Sequence, residues 1–260
     1  MVPISPAVPP KSLPLPADSG EKTTVSTDKT SFNLNDPCLY LNRELTWLEY
    51  NDRVLSRAGD ARLPLLERVK FLAIFGSNMD EFFMKRIGGL KQQVAAHIED
   101  VTVDGRTPRQ QLEACHEKMT ANSYKREQVL KDLLRALRRE GVEIVAYGQL
   151  DHNEQATVRA FFYDNLFPLI TPQSVDPAHP FPFISNLSLN LFVTLRYPGE
   201  KELSLARVKV PVGAGARRFQ RVDAQGYRFV LLEEVIENNL DLLFPGMEIL
   251  GCELFRVTRN

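Results

Sequence analysis

The stretch "AIFGSNMDEFFMKR", residues 73–86, decides how this chain is read. It starts and ends like the buried face of a helix, yet its middle carries Gly76, Ser77, Asn78, Asp80 and Glu81. The residue types predict a helix boundary. Asn78 serves as N-cap, Glu81 three residues on completes a capping box, and Asp80 and Glu81 sit in a first turn that favours negative charge. The same residues can also be read as a site. A helix N-terminus ordinarily attracts phosphate, but two carboxylates at that end would repel it. What remains is the Asn78 carboxamide, with one acceptor and two donors. That set suits the edge of a neutral heterocycle, and adenine presents a matching donor and acceptor.

Outward from this stretch, the first half of the chain reads as helical. In "LNRELTWLEYNDRVLSRAGD" Asn42 is an N-cap, Leu45, Leu48, Val54 and Leu55 recur at helical spacing, and Gly59 is a stop. Next, "LPLLERVKFLAIF" places Leu65, Leu66, Val69, Leu72 and Ala73 on one stripe behind Pro64. A third pattern starts at Thr107 with Pro108 just inside and stops at Gly141. Long helices with short links predict a bundle.

From about residue 142 the texture changes. "VEIVAYG", "LSLNLFVTLRY", "SLARVKVPV", "YRFVLL" and "MEILGCELFRVTRN" read as strands, with helices predicted in "NEQATVRAFFYDNLFPLI" and "LEEVIENNLDLLFPG". The fold class is therefore α+β: a disordered Pro/Ser/Thr-rich tail over 1–35, a helical domain over 36–145, and a mixed domain over 146–260. A strand at the end of the chain with no partner after it predicts continuation in a longer protein.

Bulk numbers exclude several classes. Among 260 residues the formal net charge is −1, which gives no general attraction for nucleic acid or anionic membrane. Cys38, Cys115 and Cys252 are odd in number and far apart, against a disulfide framework and for a reducing compartment. No zinc-type spacing, P-loop, G-x-G-x-x-G, G-x-S-x-G or H-E-x-x-H occurs. No apolar run approaches the roughly 20 residues of a membrane span. Arg86, inside an otherwise apolar helix, calls for a phosphate or an acid such as Glu67 or Glu81. The proline-rich "TPQSVDPAHPFPFISNLSLN", 171–190, holds Asp176 and His179, which without a further ligand cluster read as loop residues rather than a metal or catalytic pair. Either the His179–Pro180 or the Phe181–Pro182 bond is a candidate cis bend.

"YLNRELTWLEYNDRVL", "LPLLERVKFLAIFGSNMDEFFMKRIGGLKQQV" and "LFPLITPQSVDPAHPFPFISNLSLNL" together resemble the N-terminal part of the long, histidine-autophosphorylating polyphosphate kinases of bacteria, over roughly 38–260. The resemblance implies a helical domain and most of a head domain, without the two phospholipase-D-like catalytic domains. It implies ATP as phosphate donor, reversible polyphosphate synthesis, and magnesium and phosphohistidine positions outside this chain. Hence no residue here is catalytic or a metal ligand, and His179 does not match the phosphorylated histidine. One site residue carries over: Asn78, in Ser77-Asn78-Met79-Asp80-Glu81-Phe82, matches the family's nucleotide contact. Also implied are ATP, ADP and polyphosphate as partners, homo-oligomers through the head domain, no nucleic-acid partner, and a cytoplasmic location, with the inner membrane face as a peripheral alternative. A non-catalytic binding or assembly module is the competing reading for these residues alone.

Overall fold

Asn42 opens the first helix as its chemistry allows. Its Oδ1 accepts from the backbone N–H groups of Glu44 and Leu45, at 3.0 and 3.1 Å. The computed structural model describes residues 33–175, 181–213, 215–222 and 226–259. The tail over 1–32, Asp176, His179 and the His179–Pro180 bond lie outside the described residues. The Phe181–Pro182 bond is trans. The helices and sheets all belong to one compact unit, Pro37–Asn260.

Helix α1 spans Arg43–Gly59 and α2 spans Leu65–Phe82. A π-helical turn, Phe83–Ile87, joins α2 to α3, Gly88–Ala95, with the Gly88 N–H bonded to the Phe83 carbonyl. Helix α4, Pro108–Arg139, has the full capping box. The Thr107 Oγ1 accepts from the Gln110 N–H, and the Gln110 side chain accepts from the Thr107 N–H at 2.9 Å. It stops where Gly141 takes φ +76°. Ion pairs Lys118–Glu49 (2.5 Å) and Lys125–Asp52 (2.9 Å) tie α4 to α1.

The N-cap also ties distant segments together. Asn42 Nδ2 donates to Asp104 Oδ1 and Gln111 Oε1, each at 3.2 Å. Asp104 also accepts from Thr102 Oγ1 (2.5 Å) and Arg106 Nη1 (2.6 Å). Burial pushes the Asp104 carboxyl up, but these donors outweigh it and hold the group below the usual carboxylate range.

The mixed part contains two sheets. Strands β1 (Val142–Ile144), β6 (Tyr227–Leu231) and β5 (Phe219–Arg221) run in that order, β1 parallel and β5 antiparallel to β6. The second sheet is antiparallel, in the order β2 (Gln173–Val175), β4 (Ser204–Lys209), β3 (Leu189–Arg196), β7 (Glu248–Arg256). Helices α5 (His152–Phe161), α6 (Leu232–Glu237) and α7 (Leu240–Leu243) accompany them. One apolar core holds this part, with Phe162, Val193, Val208, Val230, Leu232 and Ile236 all fully buried.

The observed class is α+β, with the long helices preceding the sheets. Two predicted helices are shorter than their patterns. Residues 153–170 give α5, a π turn Phe162–Leu166 and a 3₁₀ turn at Phe167–Leu169 around Pro168. The other pattern splits into α6 and α7 at Asn239. That buried carboxamide donates to the Val235 carbonyl (2.7 Å) and accepts from Arg159 (2.8 Å), competing with the helix ladder. The three-residue strands β2 and β5 are too short to register as alternation.

Candidate functional site

Helix α2 runs without interruption through residues 73–82, which corrects the expected boundary. Asn78 is no N-cap, Glu81 completes no capping box, and Asp80 and Glu81 lie inside a helix that continues with helical dihedrals through the π turn into α3, far from its N-terminus. Both find distant or downstream cations. Arg256 grips Asp80 with two bonds of 2.9 and 2.7 Å, and Lys85 holds Glu81 well enough to keep its carboxyl below the usual range. No pair of carboxylates therefore stands at a helix start here to repel phosphate.

These residues instead line a cleft of about 330 Å³, the lower end of small-ligand sites. Trp47 and Tyr50 come from α1, Ile74, Asn78, Glu81 and Phe82 from α2, and Lys85 and Arg86 from the π turn. Trp47 stacks on the buried Phe82 ring, with centroids 4.8 Å apart and planes 17° from parallel. The stack gives the cleft a flat aromatic wall.

Asn78 is held by a short relay. Its Nδ2 donates to Asn51 Oδ1 at 3.0 Å, and Asn51 Nδ2 donates to the backbone carbonyl of Phe75 at 3.3 Å. Asn51 is fully buried. A carbonyl can only accept, so it sets the direction of both amides. Asn78 is left with its Oδ1 and one N–H, neither with a hydrogen-bond partner among the described residues.

Arg86 pairs with neither of the expected acids. Glu67 lies beside Lys70 (3.6 Å) and Glu81 beside Lys85. Its partner is the buried Glu44, at 3.6 Å from Nε to Oε2. The other Glu44 oxygen is bonded to Arg43 at 2.9 and 3.1 Å, while Oε2 accepts no hydrogen bond. The π turn thus carries the Arg86 guanidinium at the cleft rim, with its terminal nitrogens unpaired among the described residues. Below it, the Cys115 thiol is pushed up to about 11 by burial and then by the charge of Glu44, so it is protonated at neutral pH.

Sequence patterns alone single out none of Trp47, Asn51, Phe82 and Lys85. Their signal is present: Trp47 and Asn51 are four apart on α1, as Asn78 and Phe82 are on α2. A hollow of about 320 Å³ between α4, β1 and β6 carries more arginine, but that charge is matched. Arg138 pairs with Glu143 at 2.8 Å and Arg228 with Glu154. Among the described residues no three His, Cys, Asp or Glu side chains are placed to hold a metal ion. Glu81, the one carboxylate lining the cleft, is engaged by Lys85, so the lining does not fit magnesium.

Two family models match the chain: the polyphosphate kinase N-terminal domain over residues 40–145 and the polyphosphate kinase middle domain over 153–260. The chain belongs to the polyphosphate kinase family. Among its relatives, the polyphosphate kinase of Synechocystis sp. is 48% identical over 239 residues, 88% of this chain and 33% of that protein. The polyphosphate kinase of Mycolicibacterium gilvum is 46% identical over 227 residues, 85% of this chain and 31% of that protein. A crystal structure of polyphosphate kinase from Porphyromonas gingivalis superposes with a TM-score of 0.71 at 29% identity, covering 84% of this chain and 33% of that one. The chain thus spans about a third of the length of the curated polyphosphate kinases it matches. The cleft lies wholly within the part matched by the polyphosphate kinase N-terminal-domain model.

Proposed function

We propose that this chain is the nucleotide-reading and assembly part of an ATP:polyphosphate phosphotransferase. In that reading the terminal phosphate of ATP is passed reversibly to polyphosphate through a phosphohistidine outside these residues, with magnesium also held elsewhere. The helical domain over 36–145 contributes Asn78 to the adenine, and the head domain over 146–260 supplies the contact between subunits. A cytoplasmic location belongs to the same reading; no helix among the described residues is long and apolar enough to cross a membrane.

One observation carries the proposal: a carboxamide whose direction is pinned from behind lines a cleft with a stacked aromatic wall and a basic rim. A base stacks on aromatic carbon, an amide reads its edge, and Lys85 and Arg86 suit phosphates. Arg86 then has two roles, as the structural partner of Glu44 and as a phosphate contact.

Trp47 is the sole tryptophan of the chain, so its fluorescence reports on this cleft. ATP is expected to quench it, and Asn78→Ala to weaken the quench by about tenfold, within the range of one bidentate base contact. A variant that melts earlier but binds ATP unchanged would sink the base-contact role.

The second reading, a binding or oligomerisation module without chemistry of its own, draws on the protonated Cys115 and the absence of a metal cluster among the described residues. The Trp47 quench by ATP separates the two, since a module without a nucleotide site gives none. Acid-labile phosphohistidine formed on the chain with labelled ATP and magnesium would contradict both; its absence is expected.

A further inference from the structure

Asn51 is an uncommon residue to bury completely, because a carboxamide in an apolar interior must have its donors and acceptor met. Two groups meet it, one at an N–H and one at the oxygen, and they are not alike. The Phe75 carbonyl can only accept, which sends the Asn51 N–H toward it and turns Asn51 Oδ1 toward Asn78. Asn78 must then offer an N–H inward. Turning the Asn78 amide over would set its oxygen against Asn51 Oδ1, two acceptors at hydrogen-bonding distance with no hydrogen between them. The outward-facing order of donor and acceptor on Asn78 is thereby fixed from beneath.

We propose that Asn51 is a specificity-determining positioning residue: by locking the Asn78 amide in one direction, it makes the cleft discriminate adenine from guanine nucleotides. The inference rests on the nucleotide reading above. At ring positions 6 and 1 adenine offers a donor then an acceptor, whereas guanine offers an acceptor then a donor. An amide free to turn over satisfies either order, since its two ends are nearly equal in shape. A locked amide satisfies one, and the other base leaves two acceptors and two donors facing each other in a partly enclosed site. Asn51 touches no ligand in this scheme. It acts through Asn78.

The test uses the 260-residue chain and Trp47 fluorescence, titrated with ATP, GTP and inorganic tripolyphosphate. The unaltered chain is expected to bind ATP about 5-fold to 150-fold more tightly than GTP, the span of one bidentate base contact. Asn51→Leu keeps the side-chain volume and removes the lock. It is expected to bring the two nucleotides to within about threefold by weakening ATP and strengthening GTP. In an Asn78→Ala background Asn51→Leu is expected to change neither affinity. A folded Asn51→Leu variant that keeps the original ATP preference overturns the proposal, because a purely structural role lowers stability and leaves the ratio alone. Should that variant not fold, the side-chain amide of Asn78 in the unaltered chain decides. One of its two hydrogens is expected to exchange slowly with water, and equal exchange of both overturns the lock. If tripolyphosphate quenches as strongly as ATP, or ATP does not quench at all, the nucleotide reading itself fails and the inference goes with it.

Discussion

The helices and the sheets of this chain are held together by different means. The sheet part has a continuous apolar core running from Val145 to Phe244. The helical part has a smaller cluster, Leu48, Phe82, Ile87, Cys115 and Met119, and beside it the buried polar side chains Asn42, Glu44, Asn51, Gln111 and Asn122. Apolar burial is non-directional and supplies stability. A buried carboxamide or carboxylate has direction and holds its neighbours in orientation. Both polar reading groups of the cleft, Asn78 and Arg86, rest on buried polar residues of the helical part. The sheet part also buries polar side chains, but against a far larger apolar core: Arg207 bonds Asn190 Oδ1 (2.7 Å) and Gln173 Oε1 (2.5 Å), Arg218 bonds Glu233 (2.5 Å), and Asn239 accepts from Arg159 (2.8 Å).

The strongest test of this contrast is in the dry core. Phe162→Ala is expected to destabilise by about 3–5 kcal/mol while leaving the residual folded protein's ATP quench unchanged, read by denaturant unfolding and Trp47 fluorescence. A weakened quench at full folding would break the division of labour. Asp104→Asn should cost about 1–3 kcal/mol at neutral pH, because it removes the charge that Asn42, Thr102 and Arg106 address. The folded carboxyl titrates below its unfolded value of about 4. Its contribution is therefore full above that value and lost as pH falls through the folded one. The gap in melting temperature between the two proteins should close below about pH 4; a gap that persists in acid would assign the loss to packing. The smallest effect is at the Arg256–Asp80 bridge, which joins β7 to α2 with both side chains partly exposed. Arg256→Ala should cost under about 1 kcal/mol and leave nucleotide binding intact. A larger loss in a double-mutant cycle with Asp80→Ala would mean that the two parts lean on each other more than their separate interiors suggest.

Much of this was legible beforehand. The Asn42 and Thr107 caps, the stops at Gly59 and Gly141, and the longer strands follow from signals within a few residues of each boundary. The failure at Asn78 has a definite cause. Gly-Ser-Asn followed by two acids has the composition of a helix start, and local chemistry offers nothing better. The groups that satisfy it lie elsewhere in the chain: Asn51 for Asn78, and Arg256 for Asp80. The acid paired with Arg86 differs from the expected Glu67 or Glu81 for the same reason, since Glu44 is brought beneath it only by the packing of α1 against α2. Local rules predicted the elements well and the partners of buried polar groups poorly, because partners are a property of the assembled fold.

The π turn at Phe83–Ile87 gives the site a sensitivity to spacing. A turn that closes from residue i to i+5 holds one more residue than its α-helical equivalent, and every later residue of the helix is rotated by about 100°. No single helical wheel therefore describes both Asn78 and α3. Deleting one residue within the turn would let it close as an ordinary α turn and leave Ile87 and Leu90 on the core. The change would fall on the turn itself, carrying Arg86 away from Glu44. In this segment the length of the chain is itself a functional character, as open to selection as the identity of any side chain.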